Sequence, residues 1–313
     1  MTVTKIDTHQ HCFPKPYLDA VGLELLASQM PNKKAPDWSP ERAIDMMDRH
    51  GIGEGIISVS SGPPVPNAPK VLRQCNEAVA ELRQRHPGRF GSFASLPLPD
   101  LDASLAEIGH ALDHLNAEGF ILFASYDGRY LGDAQFLPLL EELNRREAVV
   151  LIHPNTPPYP DLPVAPASVL EFPFETTRAA TSLILSGAMH RFRDIKFILS
   201  HAGGTLPYLL PRLTLSARMM REAGLEVGDP TEAIRQFYFD TALAGSLTTL
   251  AALAAVAEPG HILFGTDFPM APEFVIRDYG PVLDRIGEAG LDKHDVFRGN
   301  AERLFRRVPT TAG

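Results

Sequence analysis

Ala148-Val149-Val150-Leu151-Ile152-His153 is an unbroken apolar run closed by a histidine. The run is too short for a stable helix, and Val and Ile favour extended backbone. It does not alternate apolar with polar, so the strand it predicts is covered on both faces. Strands of that kind belong to parallel sheets flanked by helices. Runs of similar character lie on either side. Upstream are Ile6–His11, Gly55–Ser60, Phe90–Leu96 and Phe120–Phe123; downstream are Ile195–His201, Phe237–Asp240 and His261–Asp267. Helical periodicity fills the gaps: Pro40 to about Gly51, about Val71 to His86, Asp102 to Ala117, Ala134 to Arg146, Thr176 to His190, Leu206 to about Ala223, and Leu247 to Ala257. Ser39 suits the cap of the first of these and Pro40 its first turn. Eight strands, each followed by a helix, predict an α/β fold of the (β/α)8 TIM-barrel type.

The chain has 313 residues, ample for one large core, and the reading is a single barrel domain over 1–313. A Pro-bearing loop insertion is expected at about 12–38, passing Pro31, and a long active-site loop at about 154–173. Lys+Arg total 29 and Asp+Glu 38, a net charge of −9, so the basic footprint of a nucleic-acid binder is missing. Two cysteines, Cys12 and Cys75, exclude a disulfide scaffold and a Cys-based zinc framework. No signal-like or membrane-spanning segment is visible, so a cytoplasmic protein without membrane partners is expected.

A barrel of this kind gathers its chemistry at the C-terminal ends of its strands. Here those ends carry His9 and His11, His153, His201, Asp240 and Asp267. His9 and His11 are two apart, so both imidazoles leave one face of the strand while Gln10 leaves the other. His153 and Asp267 complete a set of three imidazoles and one carboxylate. Such a set suits one divalent metal ion, Zn²⁺ first and Mn²⁺ or Fe²⁺ after it. Asp7 and Thr8 are candidates to orient the ligands from behind. His201, the fourth imidazole, is either a further ligand or the proton-transfer group, and the latter is the more economical. Asp240 either orients His201, joins the ligands or caps a helix. Glu175 stands where a helix start would favour a carboxylate. Phe13, Trp38, Phe123, Tyr126, Phe174 and Phe268 are candidates for apolar walls, and Arg49 and Arg178 for substrate contacts.

Ile6-Asp7-Thr8-His9-Gln10-His11-Cys12-Phe13-Pro14 resembles the opening motif of the amidohydrolase-related metal-dependent hydrolases. Leu151-Ile152-His153-Pro154, Phe172-Pro173-Phe174-Glu175-Thr176-Thr177, Leu199-Ser200-His201-Ala202-Gly203-Gly204 and Phe264-Gly265-Thr266-Asp267-Phe268-Pro269 follow in the order that family has. The resemblance is greatest to the aminocarboxymuconate-semialdehyde decarboxylase type. Within it, Arg73-Gln74-Cys75-Asn76-Glu77 and the stretch from Ser200 to Tyr208 look most like the 6-methylsalicylate decarboxylase branch. The resemblance implies a metallo-dependent-hydrolase barrel with ligands His9, His11, His153 and Asp267, and catalytic roles for His201 and Asp267. No lysine ends the fourth strand to bridge two ions, so one metal is expected. The implied reaction is non-oxidative decarboxylation of a small aromatic or unsaturated carboxylic acid, as in salicylate-, resorcylate- or aminocarboxymuconate-semialdehyde-like substrates. The alternative is hydrolysis of a lactone or amide by the same ligand set. The subgroup also implies a homodimer or higher homo-oligomer.

Overall fold

The structure is a computed structural model and describes residues 4–30, 33–59, 64–157 and 165–305. Pro31, Ser60 and residues 158–164 of the expected loop lie outside the described residues. Ten strands are found among the rest: β1 (Lys5–Cys12), β2 (Ile52–Val59), β3 (Phe90–Ser95), β4 (Gly119–Phe123), β5 (Ser125–Tyr126), β6 (Arg129–Tyr130), β7 (Val149–His153), β8 (Lys196–Leu199), β9 (Tyr238–Asp240) and β10 (Ile262–Leu263). Eight pair in parallel in the order β1-β2-β3-β4-β7-β8-β9-β10. The ends of this sheet meet. Thr8 N donates to Phe264 O, Asp267 N to His9 O and His11 N to Phe268 O, closing a (β/α)8 barrel.

Alternation along each strand sorts side chains between two cores. Ile56, Phe93, Ile121, Leu151, Ile198 and Leu263 fill the barrel lumen. Their neighbours Ile57, Ala94, Leu122, Ile152, Leu199 and Phe264 pack outward against the helices. Each fully buried aliphatic side chain stabilises by roughly 1.5–3 kcal/mol. The helices start where sequence chemistry favours it. Ser39 Oγ accepts from Arg42 N at the head of Pro40–Arg49, Asp100 Oδ1 from Ala103 N at Leu101–Asp113, and Ser246 Oγ from Thr249 N at Leu247–Ala254.

Four features differ from expectation. The insertion at 12–38 contains two helices, Lys15–Val21 and Leu23–Gln29. The helix expected from Thr176 begins earlier, at Glu171, and stops at Leu185 because Gly187 turns left-handed (φ 77°). A small antiparallel hairpin, β5–β6, follows β4. The last strand leaves the ladder after Leu263, and residues 264–268 bond to β1 instead. No helix among the described residues is long and apolar enough to cross a membrane.

Candidate metal centre

β1 ends with His9 and His11 on one face, as alternation requires, and their rings meet edge-on with centroids 5.0 Å apart. β7 supplies His153. The turn after β8 supplies His201, and the segment after β10 supplies Asp267. His9 Nε2 is 3.1 Å from His11 Nε2 and 3.3 Å from Asp267 Oδ1, and His11 Nε2 is 3.0 Å from the same oxygen. His153 Nε2 lies 3.9 Å from Oδ1, whereas His201 Nε2 faces the other oxygen, Oδ2, at 3.6 Å. Three imidazoles therefore approach one carboxylate oxygen and the fourth approaches its twin. Ligand atoms of His9, His153, His201 and Asp267 all lie within 4.8 Å of one another.

Each of the first three rings has its Nδ1 engaged. His9 Nδ1 donates to Asp240 Oδ2 (2.7 Å), His153 Nδ1 to Pro154 O (2.7 Å), and His11 Nδ1 meets Ser58 Oγ (3.2 Å), whose hydroxyl donates to Gln10 O. A neutral imidazole that donates from Nδ1 presents a bare lone pair at Nε2. In that neutral form the Nε2 atoms of all three rings would aim their lone pairs into the cluster. Buried lone pairs need a partner, yet His153 Nε2, His201 Nε2 and Asp267 Oδ1 have no hydrogen-bond partner among the described residues. Nitrogen and oxygen ligands about 2.1 Å from a shared ion stand about 3.0–3.4 Å apart at tetrahedral or octahedral angles. The three shortest separations match that spacing, so the donor set fits a divalent cation.

The electrostatics favour positive charge here, carried by protons on the rings or by a cation in their place. Burial drives the His9 ring toward neutrality, but the Asp240 and Asp267 carboxylates outweigh it and raise its pKa to about 10. Burial lowers His153 to about 3. Burial penalises the Asp267 carboxylate, but the close imidazoles, His11 first, outweigh it and hold the group well below the usual carboxylate range. Carboxylate and rings together form a pocket that favours positive charge.

Backbone geometry aims the two candidate catalytic groups. His201 and Asp267 both adopt left-handed backbone, at φ 55° and 62°, uncommon for residues with a side chain. His201 opens a run of four such residues that passes through Ala202, Gly203 and Gly204. Its amide donates to Asp240 Oδ1 (2.9 Å), and Asp267 N donates to His9 O (2.8 Å).

The structure changes several supporting roles. Asp7 and Thr8 do not touch the imidazole nitrogens. Asp7 accepts from His9 N, Thr266 N, Thr266 Oγ1 and the Gln10 amide, sewing β1 to the last segment, and Thr8 Oγ1 donates to Phe264 O. Asp240 orients the ring of His9, and of His201 it holds only the backbone amide. Glu175 is fully buried and accepts from Tyr130 Oη (2.8 Å). Arg49 is paired with Glu273 through two bonds of 2.8 Å, and Arg178 reaches toward Glu175. Of the aromatic candidates, Phe123 stands edge-on to His153 (6.4 Å between centroids), with Tyr126 against it; Phe13 and Phe268 are buried. Ser58 is not among the residues the sequence singles out, although its place two residues beyond lumen-facing Ile56 marks it.

The amidohydrolase family model matches residues 6–307. A 6-methylsalicylic acid decarboxylase of Penicillium expansum is 39% identical over 317 residues, covering 98% of this chain and 97% of its own. The crystal structure of an amidohydrolase II superposes with a TM-score of 0.86 at 28% identity, covering 97% of this chain and all of that one. A dihydroxybenzoic acid decarboxylase from a Polaromonas species, with bound manganese and the inhibitor 2-nitroresorcinol, superposes with a TM-score of 0.77 at 24% identity, covering 96% of each chain.

Proposed function

The chain belongs to the amidohydrolase family, and from that premise we infer that it is a metal-dependent, non-oxidative decarboxylase of a small aromatic carboxylic acid. The observation that carries the reading is the likeness, over nearly all of both chains, to a 6-methylsalicylic acid decarboxylase in a chain that gathers His9, His153, His201 and Asp267 with His11 beside them. We assign His9, His11, His153 and Asp267 as ligands of one divalent ion and His201 as the acid/base group. The ion, when bound, supplies a positive charge that anchors and polarises the acid's oxygens. Zn²⁺ is the ion we propose, Mn²⁺ the runner-up. Three imidazoles and a carboxylate favour the first, and the manganese held by the Polaromonas enzyme supports the second.

The chain's own residues then account for the reaction. The substrate is an ortho-hydroxylated benzoic acid like that of the Penicillium relative. The bond between ring and carboxylate breaks, CO2 leaves, and the bonding pair stays on the ring carbon. His201, aimed into the cluster by its left-handed turn, gives that carbon a proton and regains one from water. Asp267 faces that imidazole with its Oδ2, 3.6 Å away, and the other three rings with its Oδ1. We take 1–313 as one barrel domain in the cytoplasm, where the two free, buried cysteines would stay reduced. A homodimer is part of the reading. Tyr208, Leu215 and Met219 are 85%, 60% and 61% exposed along one side of helix Leu206–Glu222, an apolar face that a second copy would cover.

The test is incubation of metal-loaded protein with hydroxybenzoic acids and, separately, with lactones. One CO2 and one phenol per acid consumed, without an oxidant, is the expected result. Ring-opened lactones and no CO2 would replace this reading with hydrolysis. Metal analysis and sedimentation equilibrium on the same preparation decide the ion and the assembly.

A further inference from the structure

The segment Arg73–Glu77 takes no part in the metal cluster, yet it reaches the barrel. Asn76, buried on helix Ala68–Arg85, donates from Nδ2 to Ser95 O (3.0 Å) and accepts at Oδ1 from Ser95 N (2.9 Å). Both backbone groups of the last residue of β3 are thus held by one side chain from outside. Asn76 is held in turn: its Nδ2 also donates to Glu107 Oε1 (2.7 Å), and Arg73 Nε donates to Glu107 Oε2 (2.5 Å). Glu107 is almost fully buried. A buried carboxylate and amide, closed off by a partly exposed guanidinium, are a costly way to end a strand, and all of it bears on the direction in which Ser95 points.

That direction is inward. Phe93 belongs to the lumen core and Ala94 to the outer one, so Ser95 faces the lumen. Register fixes its height. His11 pairs with Ser58 and Ser58 with Phe93, so Ser95 is two residues above the level of His11; Ser95 pairs with Ile121 and Ile121 with Leu151, so His153 is two residues above the level of Ser95. In an eight-stranded barrel the strands tilt so that a layer perpendicular to the axis climbs by two residues for every two strands, and each layer takes its side chains from alternate strands. His11, Ser95 and His153 come from the first, third and fifth barrel strands and therefore form one layer. Phe123, the next inward residue beyond Ile121, lies just above with its ring partly exposed. Ser95 is 4% exposed, and its Oγ has no hydrogen-bond partner among the described residues.

We propose that Ser95 is a substrate-contacting residue whose hydroxyl donates to the carboxylate of the bound aromatic acid, and that Asn76 is the positioning residue that aims it. The inference rests on the decarboxylase reading for its ligand class. It gives the Arg73–Glu77 stretch a role: Arg73 and Glu107 fix Asn76, and Asn76 fixes Ser95, while Phe123 offers the ring an aromatic edge.

The experiment measures binding of salicylate, benzoate and phenol to the metal-loaded protein by calorimetry, beside CO2 release. Ser95→Ala should weaken salicylate and benzoate by about tenfold or more, the loss of a hydrogen bond to a charged group. It should leave phenol and metal content unchanged, and Ser95→Thr should restore most of the loss. Asn76→Ala should lower the acid-to-phenol affinity ratio in the wild-type background and leave it unchanged in Ser95→Ala, because both substitutions remove one contact. Unchanged acid affinity in Ser95→Ala overturns the proposal, as does a loss shared by salicylate and phenol but not benzoate, which would put the hydroxyl on the ring oxygen. A ratio that falls again when Asn76→Ala is added to Ser95→Ala overturns the positioning role. Wild-type protein that binds salicylate but releases no CO2 from any acid defeats the decarboxylase reading alone; a working wild type with an indifferent Ser95→Ala defeats this inference alone.

Discussion

Asp240 carries more of the site than any residue that would touch a metal. One carboxylate holds the ring of His9, the amide of His201 and the amide of Ala242, at 2.7, 2.9 and 2.9 Å. Asp240→Asn can offer His9 Nδ1 a donor where an acceptor stood, which favours the tautomer with a proton on Nε2. Metal affinity should then fall about 10–100-fold, measured by competition against a chelator. The two kinds of histidine should separate cleanly. His11→Ala should lose its metal together with its activity, whereas His201→Ala should keep its metal and lose about 10²–10⁴-fold in kcat. If metal analysis finds His201→Ala empty and His153→Ala loaded, the ligand and proton-transfer assignments change places.

At the scale of elements, the turn from β8 into the next helix is the most constrained connection. Gly204 has φ 62°, and a Cβ there would lie 2.0 Å from Pro173 O on the helix that follows β7. Gly204→Ala should therefore cost on the order of 3 kcal/mol from left-handed strain and overlap together, and should reduce turnover by moving His201. Chemical denaturation and steady-state rates check both effects. A second connection is electrostatic. Glu273, at the head of helix Glu273–Leu283, accepts from Arg49 and from His50 Nε2, and the Arg49 bonds above all hold its pKa at about 2. Its folded pKa lies below the unfolded value of about 4.3, so the contact stabilises fully above that value and is lost as pH falls toward 2. The gap in denaturation midpoint between wild type and Glu273→Gln should close over that interval, and a gap that stays constant would contradict it.

For the whole molecule, the cluster joins the start of the chain to its end. His9 and His11 lie on the first barrel strand, His153 on the fifth and Asp267 just after the eighth, so an ion held by all four would tie those strands together. Removing the metal should lower Tm, and the loss should follow mass action, about 4 kcal/mol at free metal 1,000 times Kd. Thermal melts across a series of metal-buffered solutions measure this; a Tm indifferent to free metal would mean that the cluster holds no ion.

Much of this was legible in the residues. Strand composition and the regular return of helices told of a parallel barrel, because a strand covered on both faces must be apolar throughout. The i, i+2 spacing of His9 and His11 put both rings on one face, because side-chain alternation is local. Other features depended on which distant segments meet. Asp240 falls behind His9 rather than beside the His201 ring, because between the seventh and first strands the closing segment places Gly265, which has no side chain to separate Asp240 from His9. Ser58 reaches His11 only through the β1–β2 register, and Ser95 joins the layer of His11 and His153 only through barrel shear. The chain thus wrote its own strands, its helix caps and the donor atoms at the strand ends. The pairing of those donors, the tautomers they adopt and the oxygen each one faces came from strand register and tilt, which no local pattern encodes.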